Sequence, residues 1–179
     1  MRAGNQGADA GRWLRRVLRL LATSCFCVST IAAADLQLDA WENGGLGGWR
    51  EKSFEGSTEY AVKNEAGTSF LAATAKDSAS ALFLKRKIAI ASTPVLNWQW
   101  RATRFNGAQN HLTKAEDDFP ARIYVVVREG LFPWQTLAIN YVWAEGDPGQ
   151  PFWPNPFTER AIMVPIEQGT GDAGKWRQE

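Results

Sequence analysis

Apolar residues in this chain repeat at period two rather than 3.6. Beyond residue 34, short alternating or β-branched runs recur with glycine, asparagine and proline between them, and no stretch carries an amphipathic helical stripe. Strands are expected over Trp49–Phe54, Thr58–Lys63, Ser69–Thr74, Val95–Ala102, Ile123–Val127, Trp134–Ala144 and Ala161–Glu167. Turns fall at Glu55-Gly56-Ser57 and at Asn64-Glu65-Ala66-Gly67. The fold class that follows is all-β: an antiparallel β-sandwich, most simply a jelly roll.

Within that frame the stretch from Lys114 to Arg128 is the most informative. Ile123–Val127 is an unbroken apolar run of strand length, which predicts a central strand covered on both faces. Lys114, Glu116, Asp117 and Asp118 lead into it, with Arg122 at its mouth. Charge set against so apolar a strand must be paired, bind an ion or stay in water.

The amino terminus reads as a leader. Arg12, Arg15, Arg16 and Arg19 precede an apolar run over 20–31, and Ala32-Ala33-Ala34 supplies a small-residue cleavage pattern. The run is shorter than the roughly 20 residues a bilayer span needs, so no stable membrane span is expected after cleavage. Removing residues 1–34 from the 179 leaves 145, one ordinary domain over 35–179 with one expected core. These residues hold 15 basic and 18 acidic side chains, a net charge of −3, a mild acidic balance that argues against nucleic acid or anionic lipid as a partner. Both cysteines, Cys25 and Cys27, lie in the leader, leaving no disulfide and no thiolate metal site. The expected location is periplasmic or secreted.

Other features have bland readings beside sharper ones. The glycines of Gly44-Gly45-Leu46-Gly47-Gly48 lack the Lys-Ser/Thr ending of a phosphate loop and read as a sandwich loop. Lys85-Arg86-Lys87, within the 79–91 stretch, has no wider basic surface and reads as a solvated strand end or bend. Leu96, Trp98 and Trp100 share a face, suited to a core, with a sugar-stacking platform as the alternative. The sole histidine, His111, sits in a polar stretch where a solvated side chain is expected. Ile123–Val127 and Trp134–Ala144 look like a hairpin. Prolines 148, 151, 154 and 156 stiffen an aromatic loop that runs to Phe157, and Pro165 marks an edge or a bulge.

Lys114-Ala-Glu-Asp-Asp-Phe-Pro-Ala-Arg-Ile-Tyr-Val-Val-Val, preceded by Leu96-Asn-Trp-Gln-Trp-Arg and followed by Asn140-Tyr-Val-Trp-Ala and Trp153-Pro-Asn-Pro-Phe-Thr, resembles the bacterial domain-of-unknown-function family 3047. The resemblance spans nearly all of 35–179. It implies an exported protein with a sandwich like that of galactose-binding domains, and it brings no activity with it. It also implies a further aromatic, acidic strand after Lys175-Trp176, so the chain is expected to lack a final strand, whose unpaired neighbour would be prone to aggregation.

The function these observations favour is a non-catalytic module that binds a carbohydrate or other envelope polymer. Its expected binding residues are Glu116, Asp117, Asp118, Arg122, Tyr141, Trp143, Trp153 and Asn155. The alternative is a glycan-acting enzyme that draws an acid and a base from Glu116, Asp117, Asp118, Glu145 and Asp147, of which the adjacent pair 117/118 would contribute one. No cofactor is called for. Were a metal bound, Glu116, Asp117 and Asp118 offer the oxygens that Ca²⁺ takes. A structural scaffold is the remaining class.

Overall fold

The computed structural model describes residues 36–39, 41–108, 111–128, 130–132 and 135–179; the leader expected over residues 1–34 lies outside them. The chain is all-β, its strands paired in antiparallel sheets with one parallel exception, as a sandwich class requires. Among the described residues no helix is long and apolar enough to cross a membrane. Two compact units emerge, Met1–Pro94 and Val95–Glu179.

In the first unit, β1 (Arg50–Glu55) pairs antiparallel with β4 (Ala79–Phe83), and β2 (Glu59–Glu65) forms a hairpin with β3 (Thr68–Thr74). The hairpin turns through Ala66 and Gly67, both at positive φ (50° and 86°), the twist a two-residue β-turn needs. Asn64 holds it by accepting the Gly67 amide. The two strand pairs are tied by Tyr60, which donates to the Ser80 carbonyl at 3.0 Å, and by the Thr58 amide, which donates to the Ser80 hydroxyl at 3.1 Å. The strand that opens the 79–91 stretch stops at Phe83, so Lys85-Arg86-Lys87 follows its end, as expected.

In the second unit, β5 (Gln99–Trp100) pairs with β10 (Arg177–Gln178), and the pairing extends through two backbone bonds between Trp98 and Glu179. The main sheet has the order β6-β7-β9-β8, with β6 (Arg122–Arg128), β7 (Thr136–Ala144), β8 (Trp153–Asn155) and β9 (Thr158–Gln168). β6 and β7 form the expected hairpin; Trp134 lies outside the described residues. β7 and β9 run parallel, against the antiparallel expectation, because β8 intervenes in sequence and reverses the chain before β9. Pro165 pairs with Val142 just before a bulge, where a residue without an N–H does least damage to a ladder.

The predicted place of β6 needs correcting. It is an edge strand, and Tyr124, Val126 and Val127 are exposed, Val126 by 58%. A β-branched run specifies strand conformation but not a position in the sheet, and the central strands are β7 and β9. The Leu137/Ile139 end of β7 is likewise exposed, whereas its other end is buried on both faces. Two cores form there. Trp100, Ala102 and Trp143 make one, with Trp98, Phe105, Ile123 and Ile166 packed around them; Val142, Trp153 and Met163 make the other, closed by Phe119.

Candidate functional site

The segment between β5 and β6 carries the predicted charges, and the ends of β6 and β7 position them. A single 3₁₀ turn, Lys114–Glu116, stops at Asp117 (φ −76°, ψ 50°), from which the chain runs into β6. Asp117 and Asp118 then diverge. Asp117 meets Arg122, whose Nη2 sits 3.2 Å from Oδ1 as an ion pair off the hydrogen-bond line and whose Nη1 donates to Oδ2 at 3.3 Å. The same guanidinium donates to the Asp117 carbonyl at 2.9 Å and to the Tyr124 hydroxyl at 2.6 Å, and lies 4.5 Å over the Phe119 ring. Asp118 instead accepts the Asn106 side-chain amide at 2.6 Å.

His111 is not solvated. It is 1% exposed and stacks on Phe119 with ring centroids 4.6 Å apart. Its Nε2 accepts the backbone amides of Glu145 (3.0 Å) and Gly146 (3.5 Å), which needs a bare lone pair there. The ring proton therefore sits on Nδ1, 3.3 Å from the Glu116 carbonyl that it faces. Glu145 is buried in turn, its two oxygens accepting the consecutive amides of Asn106 and Gly107, each at 2.5 Å. Gly107 at φ +79° gives the backbone the left-handed step that turns both N–H groups toward one anion. Glu145 is thus a built-in anion that clips the 104–107 loop to the end of β7. Asp147 caps its own turn by accepting the Gly149 amide.

Four of the five acids considered for catalysis (Asp117, Asp118, Glu145 and Asp147) therefore hold the protein's own donors. Glu116 contributes its carbonyl to His111. Glu116, Asp117 and Asp118 are not gathered as an oxygen cage: among the described residues no three His, Cys, Asp or Glu side chains are grouped to hold a metal.

The aromatic candidates divide by burial. Trp143 and Trp153 are core side chains, Trp143 donating to the Gly169 carbonyl at 2.9 Å, so neither presents a ring to a sugar. A large indole on a strand gains more from burial than it would from standing in water. Tyr141 is half-buried and packs 5.2 Å from Trp98. Asn155 accepts the Phe157 amide at 3.0 Å and sets the tight turn from β8 into β9. What it displays is Phe157, 61% exposed with the Lys114 ammonium 5.4 Å over its ring, while Phe152 is 59% exposed on the other side of β8. The proline-stiffened aromatic loop expected up to Phe157 holds both displayed rings, whereas His111 as a buried anchor went unforeseen. The Asn106-Gly107 pair was the available signal for the loop that Glu145 clips.

This chain belongs to the family described as Protein of unknown function (DUF3047), whose model matches residues 47–179, in agreement with the resemblance its motifs carry. No curated protein and no solved structure matches it.

Proposed function

We propose that this protein is a non-catalytic module that binds a carbohydrate or other envelope polymer, exported by the leader of residues 1–34. The observation that carries the reading is the β8–β9 turn. Buried Trp153 anchors it, Pro154 and Pro156 stiffen it, and Phe152 and Phe157 stand in water on either side. Exposed rings on a stiff support lose little entropy when a sugar face stacks on them. The engagement of Asp117, Asp118, Glu145 and Asp147 by internal donors supports binding over acid–base catalysis. A second reading, an envelope scaffold, is favoured by the exposed apolar residues Tyr124, Val126, Val127, Leu131 and Phe132 on the β6–β7 hairpin.

Affinity electrophoresis of the full chain through neutral glycans, among them a β-glucan, chitin fragments and a galactan, tests the proposal. Retardation by at least one is expected. Phe152→Ala/Phe157→Ala should weaken it about tenfold, the loss of roughly 1.4 kcal/mol of stacking. Absence of retardation by every glycan, together with self-association that Val126→Lys abolishes, would replace the binding reading with the scaffold.

A further inference from the structure

An open cleft of about 260 Å³ in the first unit is lined by Gly48, Arg50, Phe83 and Lys85. Strand geometry accounts for its charge. In the β1–β4 pair Arg50 lies opposite Phe83 and Lys52 opposite Ala81, so alternation places Arg50, Lys52 and Phe83 on one face and Glu51, Ser53 and Ser80 on the other. Glu51 is held on that second face. It accepts the Ser57 hydroxyl at 2.7 Å, and Ser57 foremost, then Ser80, keeps its carboxyl below the ordinary 4.5. The one acid within the cationic run of β1 is thereby turned away from the cleft.

The cations are left without counterions. Among the described residues no carboxylate pairs with Arg50, Lys52 or Lys85. The two lysines lie over rings instead: Lys85 Nζ is 5.8 Å over Phe83, and Lys52 Nζ is 5.0 Å over Phe54. Residues 35–179 carry more acids than bases, so two unneutralised cations, Arg50 and Lys85, in one cleft walled by Phe83, with Lys52 on the same face of β1, are not a reflection of bulk composition. Nucleic acid would need a longer basic stripe than three residues. The volume is a little below the roughly 300–1,000 Å³ of small-molecule pockets, room for one sugar unit rather than for an extended oligomer.

We infer that this cleft is a subsite for one acidic unit of an anionic polysaccharide. The Arg50 fork takes the carboxylate or phosphate bidentately, Lys85 supplies a second point charge, and the Phe83 ring backs the sugar. This rests on the polymer-binding reading and adds the sign of the ligand's charge.

The test uses the full chain with two probes, polygalacturonate for the carboxylate and poly(glycerol phosphate) for the phosphate. Fully methyl-esterified polygalacturonate is the neutral control. Binding of one or both acidic probes is expected, weakened by salt and at least about tenfold weaker in Arg50→Glu/Lys85→Glu, with little response to the neutral control. All the substituted side chains are exposed, so the unfolding midpoint should not move. Phe152→Ala/Phe157→Ala should leave the charge-dependent part of the binding in place, which separates this cleft from the aromatic turn. Failure of both acidic probes to bind, or equal binding by the charge-reversed variant, would overturn the inference. Retained neutral-glycan binding in that case would leave the module reading standing.

Discussion

The acids that lead into β6 or follow β7 and the cations of β1 and Lys85 are treated by the fold in opposite ways. Asp117, Asp118 and Glu145 each hold a donor supplied by the protein, and Glu145 is buried with two backbone amides on its oxygens. Arg50, Lys52 and Lys85 are exposed and, among the described residues, have no carboxylate partner, while Lys52 and Lys85 lie over the rings of Phe54 and Phe83. The difference teaches that a charged residue marks a binding site by what it is not bonded to. Charges with internal partners hold a structure together, and those without them are available to a ligand.

Substitution at Glu145 should give the largest effect. Glu145→Ala strands the amides of Asn106 and Gly107 and should destabilise the Val95–Glu179 unit by about 2–4 kcal/mol in urea titration. Arg50→Glu, by contrast, should change stability by less than about 0.5 kcal/mol, as exposed charges do. A Glu145→Ala protein of unchanged stability would break the contrast, because Glu145 would then be available for chemistry. Arg122→Lys comes next. Lysine keeps the charge opposite Asp117 but loses the fork that also reaches the Asp117 carbonyl and Tyr124, and the flat contact on Phe119. A loss of about 1–2 kcal/mol is expected.

Much of this was legible in the chain, and the limits have physical causes. Most strand positions follow from period two, and the turn at Ala66-Gly67 follows from its residues, but the run expected over Val95–Ala102 is a strand only at Gln99–Trp100. Pro165 announced its bulge because a missing N–H is tolerated in few places. The edge position of β6 was not legible, since Val125, Val126 and Val127 would look the same in a central strand. The fate of His111 was hidden as well: its partners, Glu116 and the amides of Glu145 and Gly146, include groups more than 30 residues away, and no local pattern encodes that meeting. Trp143 and Trp153 suggested sugar stacking by residue type alone, and burial decided otherwise. Even Glu51 illustrates the point, since adjacency to Arg50 and Lys52 in sequence suggests a neutralised patch, whereas a strand sends neighbours to opposite faces.

Glu51 also provides the finest test of the contrast. With its carboxyl held on the Ser57/Ser80 face, Glu51→Gln should leave affinity for polygalacturonate within about twofold of wild type, because the removed charge acts on the cleft only through screened solvent. If Glu51 instead neutralised Arg50, the same change would unmask the cation and tighten binding severalfold. A second readout follows from its lowered pKa. A carboxyl that is more acidic folded than unfolded contributes stability above its unfolded value, and that contribution fades as pH falls through and below 4.5. Wild type should therefore lose slightly more stability on acidification than Glu51→Gln does. Unaltered affinity together with a flatter acid limb would place the charge on the serine face; tightened affinity with an unchanged acid limb would place it in the cleft, and Arg50 would then join the charges that the fold already uses.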